Sequence, residues 1–216
     1  MKPILLAALA CLAWAPMAAH ADDTSDAQAQ AQAKYDALLA QAKSGTGPVD
    51  WTALRYAYAD RADFFGTLDD DDRAAMFKAA NSGDWAGALA AANKAEDATW
   101  FDGGAHFIAG LAQSHLGHAD EGAKEQAIAD AIFASIKTGD GLTADTAFTV
   151  VAVSEEYDLL SLGLGDSVKS QSLSMAGDHQ FDVMTVTDEN GKEITYYFNI
   201  DREWAAEGRM FSGLGN

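Results

Sequence analysis

The sequence predicts an α+β protein in which N-terminal helical hairpins pack with a small C-terminal antiparallel sheet of three or four strands. Three observations predict it. Two glycine-centred helix junctions recur, Gly117 lying 34 residues after Gly83. Past residue 143 the apolar pattern changes from helical recurrence to alternation. Asn190-Gly191, between two alternating segments, then marks a hairpin. Helices first and strands after is the order of an α+β domain, with the sheet free to cover the open flank of the helices.

The N-terminus comes before that domain. Lys2, an apolar run from Ile4 to Met17 and the small-x-small end Ala19-His20-Ala21 predict a signal peptide over residues 1–21. The run is about 14 residues, short of the roughly 20 that cross a bilayer core. The expected destination is the bacterial periplasm or the extracellular medium. Cys11 is the only cysteine, and a cut near Ala21 removes it together with Lys2. The remaining chain has 13 basic residues against 33 acidic ones, a net charge of −20. Thiol catalysis and thiolate metal sites are thereby excluded. So much negative charge disfavours nucleic acid and, once the leader is cut, anionic membrane surfaces.

Residues 22–47 are expected to be a flexible acidic Ala/Gln segment leading into a first helix, about Ala27 to Lys43, anchored by Tyr35, Leu38 and Leu39. Ser44-Gly45-Thr46-Gly47-Pro48 breaks it. A single α+β domain then spans 48–216, with a helical part over 48–140, a sheet part over 143–201 and a tail over 202–216. Asp50 is placed to cap a helix carrying Trp51, Leu54, Tyr58 and Phe65. Asp69 to Asp72 lack the alternating ligands and glycine of a calcium loop, and suit the positive end of a helix dipole better.

The junctions at Gly83 and Gly117 align further. Trp85 matches Ala119, Ala88 matches Gly122 and Ala95 matches Ala129. A glycine turn, a wedging residue and a small residue for close helix approach make residues 76–129 resemble two tetratricopeptide-type units. Aromatics missing at several packing positions, and no closing proline, depart from that pattern. After residue 141, Ala147 to Val153 reads as a buried strand, and Ser154 as the cap of a short helix bearing Glu155, Glu156 and Tyr157. Ser167 to Met175, Phe181 to Val186 and Glu193 to Ile200 read as strands, and Trp204 as the start of a last helix.

Glu155-Glu156-Tyr157, Gln171-Ser172-Leu173, Phe181-Asp182-Val183-Met184 and Tyr197-Phe198-Asn199-Ile200-Asp201, in that order, resemble an uncharacterised family of exported bacterial proteins known as a domain of unknown function. Asp50-Trp51-Thr52-Ala53-Leu54-Arg55 resembles its start, so the resemblance covers about residues 48–201. It implies export and one integrated domain, and carries over no catalytic residue and no ligand.

Candidate chemistry is therefore read from the residues. Glu155, Glu156, Gln171 and Asn199 are the candidate catalytic set of a cell-envelope hydrolase, with Asp182 or Asp201 as conceivable carboxylate partners. Glu155 and Glu156 are neighbours about 100° apart on a helix, so they cannot face each other as an acid/base pair. His106, His115 and His118 lack the spacing of a metal site, so structural or surface roles are expected, with no metal and no cofactor. Trp51 and Trp85 are expected in the core. Trp100 and Phe101, at an inter-helix connection, are the candidate partner surface. The preferred reading is a non-catalytic binding or scaffold module with a protein or peptide partner, because stacked helical hairpins offer a concave surface to such ligands.

Overall fold

The two glycine junctions close their helices in the same way, and this sets the helical half. In the computed structural model, which describes residues 19–61, 63–64 and 70–213, Gly83 and Gly117 both have positive φ, 77° and 89°. Asp84 N–H bonds to Ala79 O, and His118 N–H bonds to Gln113 O, the six-residue closure of a helix end. The helices so punctuated are α1 (Ala19–Ser44), α2 (Trp51–Ala59), α3 (Asp70–Ser82), α4 (Trp85–Ala98), α5 (Gly103–His115) and α6 (Ala119–Ile136). From α3 to α6 each packs on the next. A Cβ on Gly122 would come 2.8 Å from Gly110 O, so the backbones of α5 and α6 touch where a small residue was expected. Trp85 is half-buried rather than core, its indole stacked 3.9 Å from the His115 ring. Trp51 is likewise half-buried.

Two expectations for the N-terminal part meet different outcomes. Asp50 caps α2, its Oδ1 accepting from Ala53 N–H at 2.8 Å. The Ala/Gln segment is helical, part of α1, which runs unbroken from Ala19 rather than starting near Ala27; alanine and glutamine are good helix formers, and no glycine or proline interrupts them. Residues 1–18 of the expected signal peptide lie outside the described residues, as do Phe65 and Asp69. No helix among the described residues is long and apolar enough to cross a membrane.

The sheet holds β1 (Phe148–Thr149), β2 (Ser167–Ala176), β3 (His179–Thr187) and β4 (Glu193–Asn199), in the order β1-β4-β3-β2. β2, β3 and β4 form an antiparallel meander, whereas β1 runs parallel to β4, so the sheet is mixed rather than antiparallel. The chain between β1 and β4 is a crossover long enough for parallel pairing. The expected strand over 147–153 shrinks to two residues because Val153 already begins α7 (Val153–Asp158), continued by a π-turn over Leu159–Gly163. Asn190-Gly191 does not form a type I′ turn, since only Gly191 has positive φ. Instead the Asp188 carboxylate accepts from the N–H groups of Asn190 and Lys192, closing a longer loop. The last helix, α8 (Asp201–Gly213), starts three residues before Trp204.

Met184, Val186 and Phe198 of the sheet, with Ile200 just after β4, meet Phe133 and Ile136 of α6 and Leu159 and Leu160 of the π-turn in one apolar core. Two buried arginines then pin α7 against the helices. Arg55, fully buried, grips Glu155 with Nε and Nη2, both at 2.6 Å, and also donates to Ser135 O and Thr149 O. Arg73 bridges Asp102 and Asp158. Asp102 Oδ1 in turn caps α5 at Ala105 N–H. Removing one partner of a buried pair leaves a desolvated charge, which costs about 3–5 kcal/mol, whereas an exposed pair contributes under about 1 kcal/mol. Arg73→Ala should therefore lower the denaturant-unfolding free energy by that larger amount. Lys94→Ala, at the exposed and long Lys94–Asp72 pair, should change it little.

Candidate functional site

Helix α7 sends four consecutive side chains to three places: Glu155 to Arg55, Asp158 to Arg73, and both Glu156 and Tyr157 to Gln171 of β2. Glu155 turns to Arg55 and also accepts Val151 N–H at 2.8 Å. Asp158 turns to Arg73 at 2.6 Å. Glu156, between them in rotation, points to the sheet, where Gln171 Nε2 reaches its Oε2 at 3.4 Å. Gln171 also donates to Asp182, and Tyr157 Oη–H donates back to Gln171 Oε1 at 2.6 Å. Ser154 is not the cap: α7 follows Ala152 with no side-chain cap, and Ser154 Oγ is buried without a partner.

The result, among the described residues, is a cluster of acids with no cation in it. Glu156 is fully buried and lies within hydrogen-bonding reach of Asp182. Glu203, from the first turn of α8, is buried nearby. Burial first, then the proximity of Asp182 and Glu203, pushes the Glu156 carboxyl up to about 10. Burial, with Glu207 and Asp182, pushes Glu203 up to about 8. Both therefore hold protons near neutral pH. Glu156 Oε1 and Glu203 Oε2 have no hydrogen-bond partner.

A second cluster lies in the helical half. His106 of α5 is fully buried, its Nε2 bonded to Trp100 O at 2.7 Å. A carbonyl only accepts, so that nitrogen carries a hydrogen. Its Nδ1 faces Glu125 Oε2 of α6 at 2.6 Å and Glu96 Oε1 of α4 at 3.4 Å. Burial raises Glu96 to about 7, outweighing the nearby His106. Burial alone would lower His106, but the hydrogen bond to Glu125 and the Glu96 carboxylate outweigh it and hold the ring above its ordinary value.

The candidate residues thus separate. Glu156 and Gln171 come together with Asp182. Glu155 is committed to Arg55. Asn199 lies apart, donating to Asp201 Oδ2 at 3.0 Å, beside His179. Phe101 is a correction: it is completely buried, its ring edge-on to Tyr58 at 4.8 Å, and presents nothing to a partner. Trp100 is half-buried under Lys43. Arg55, Arg73, Asp158, Glu203, Glu96 and Glu125 were not singled out from sequence. For the arginines a signal existed: Arg55 directly follows Leu54 on an otherwise apolar helix.

With this geometry in place, comparison with known families is decisive for class. A family model for a domain of unknown function, DUF4919, matches residues 69–209, and the chain belongs to that family. The match takes in α7, Gln171, Asp182 and Glu203, and begins after the Asp50-Trp51 helix. No curated protein and no solved structure matches the chain.

The acid cluster sets a pH dependence. A carboxyl raised in the folded state stabilises fully below its ordinary value of 4.5, and that contribution is lost as pH climbs through the raised value. Thermal stability should therefore fall as pH rises above 4.5, continuing through the Glu203 value of about 8 towards the Glu156 value of about 10. Glu156→Gln, which imitates the protonated acid, should flatten that slope above neutral pH in thermal melts. A variant as pH-sensitive as the parent would show that Glu156 ionises freely.

Proposed function

We propose that the protein is an exported, non-catalytic binding module that takes an extended segment of a partner polypeptide along strand β2. The observation that carries this reading is the open edge of the sheet. β2 lies last in the strand order, is 10 residues long, and has exposed or half-exposed residues throughout. Edge strands are usually blunted by charge, proline or bulges. Here Lys169 and a register shift protect one end, while Ser170 to Ala176 carries neither charge nor proline. Gln171, Leu173 and Met175 alternate onto one face. Leu173 is 55% exposed and Met175 65% exposed. Tyr157 extends that face through its bond to Gln171. Main-chain pairing at an edge gives affinity, and alternate side chains give selectivity. A net charge of −19 favours a neutral or basic segment. The apolar run before Ala19-His20-Ala21 supports export to the periplasm or beyond.

The alternative of a cell-envelope hydrolase draws on the meeting of Glu156, Gln171 and Asp182. It is the weaker reading. Glycoside hydrolysis needs carboxyls about 5 Å apart or more, with the scissile bond between them, and here the two acids are within hydrogen-bonding reach of each other beneath Gln171.

Two measurements test the proposal. A labelled peptide as long as β2, alternating Val and Lys, should bind and shift the amide resonances of residues 170–176, while a Val/Glu peptide should not. Leu173→Ser with Met175→Ser should weaken binding about tenfold, equivalent to about 1.4 kcal/mol. Unchanged affinity, or shifts confined to α3–α6, would reject the site. Mass measurement of the exported chain should give a start near Asp22; a chain retaining Met1 would reject export by cleavage.

A further inference from the structure

We infer that Glu96, His106 and Glu125 form a binding site for one first-row divalent transition cation, best matched by Zn2+, set between α4, α5 and α6. The donor atoms of these three side chains all lie within 4.8 Å of one another. They come from three successive helices, so the site is made by the packing of the helical half and is independent of β2.

Four features distinguish it from an acidic patch. The first is His106. Its ring is fully buried, and its Nε2–H is fixed on Trp100 O, the outer-shell hydrogen bond that orients a ligating imidazole and leaves the other nitrogen free to bind. Second, Nδ1 points at two carboxylate oxygens. A lone pair there would be repelled, so the position calls for a positive species.

Third, a proton does not complete the arrangement. On Nδ1 it pairs with Glu125 Oε2 at 2.6 Å, yet Glu96 Oε1, 3.4 Å from the same nitrogen in a side chain only 9% exposed, makes no hydrogen bond. A divalent cation at the centre would meet all three donors and balance two carboxylates with one neutral imidazole. Fourth, the distances suit it. Zn2+ bonds of about 2.0–2.2 Å in a tetrahedron place donors about 3.3–3.6 Å apart. His106 Nδ1 and Glu96 Oε1 already stand at 3.4 Å. Glu125 must retreat from 2.6 Å, and its side chain, 25% exposed, has room to do so and gives the ion a path to solvent. An imidazole among the ligands disfavours Mg2+ and Ca2+, which take oxygen donors, and the absence of thiolate disfavours Cu(I).

Bound there, the ion would tie α6 to α4 and α5, the latter two meeting through alanines such as Ala88, Ala92, Ala105 and Ala109. The test uses the full chain, stripped by a chelator and titrated with Zn2+ against a chromophoric competitor. One ion per chain should bind with a dissociation constant below about 1 μM, resist millimolar Mg2+, and raise the melting temperature. Glu125→Gln, at the half-open rim where folding is least at risk, should weaken binding about tenfold or more and abolish the thermal shift. Glu96→Gln should do the same. Binding that survives both substitutions would be adventitious uptake by surface carboxylates and would overturn the site. So would a folded parent chain, verified by circular dichroism, that takes up no Zn2+ at micromolar concentration.

Discussion

The pairing of two buried arginines with the two outer acids of α7 is the constraint on which the rest of the structure depends. Arg55 comes from α2 and Arg73 from α3, while Glu155 and Asp158 stand on the short helix that leads into the sheet. Desolvating these charges is expensive, and only fork-shaped, multiply bonded geometry offsets it. Arg55 supplies that geometry with a bidentate carboxylate and two backbone carbonyls. Arg73 does so with two carboxylates, one of which also caps α5. Gly104 is part of the same arrangement, since a Cβ there would stand 2.4 Å from Asp158 Oδ2. Helices and sheet are joined through charge as well as through the apolar core.

With Glu155 and Asp158 held, Glu156 has no choice of direction. It is delivered to a place where its charged neighbours among the described residues are acids, Asp182 and Glu203 included. The energetic solution is protonation: a neutral carboxyl can donate to one neighbour and accept from Gln171, and needs no counter-charge. The same chain thus treats adjacent glutamates in opposite ways. Glu155 is paired with an arginine, whereas Glu156, its carboxyl pushed up by burial, has only uncharged Gln171 and other acids beside it. The helical half contains a related tension at His106, where two carboxylates share one imidazole nitrogen.

What could be read from the chain follows from how local each feature is. The glycine junctions, the Asp50 cap, the three long strands and the α+β order depend on near neighbours, and they are visible as such. Family membership was legible in short ordered motifs, and Asp182 as a partner for Glu156 was within reach because both stand in those motifs. The features that escaped are those decided across the fold. The parallel strand β1 needed the crossover to be seen, and the Asn190-Gly191 turn was overridden by the Asp188 carboxylate. Phe101 looks exposed beside Asp102-Gly103-Gly104, yet fills the space against Tyr58. Glu96, His106 and Glu125 sit on three helices at no regular interval, so no spacing rule could join them.

The segment Glu155-Glu156-Tyr157-Asp158 divides its side chains among Arg55, Gln171 and Arg73, and this bears on how such a domain can change over time. A substitution at one position disturbs one neighbour. An insertion or deletion of a single residue between Glu155 and Asp158 would turn every following side chain by about 100°, sending acids towards the apolar core and taking Asp158 away from Arg73. Length, more than residue identity, is therefore the conserved quantity to expect here: relatives of this chain should vary freely in the loop around Asn190 while keeping the distance from Glu155 to Asp158 unchanged.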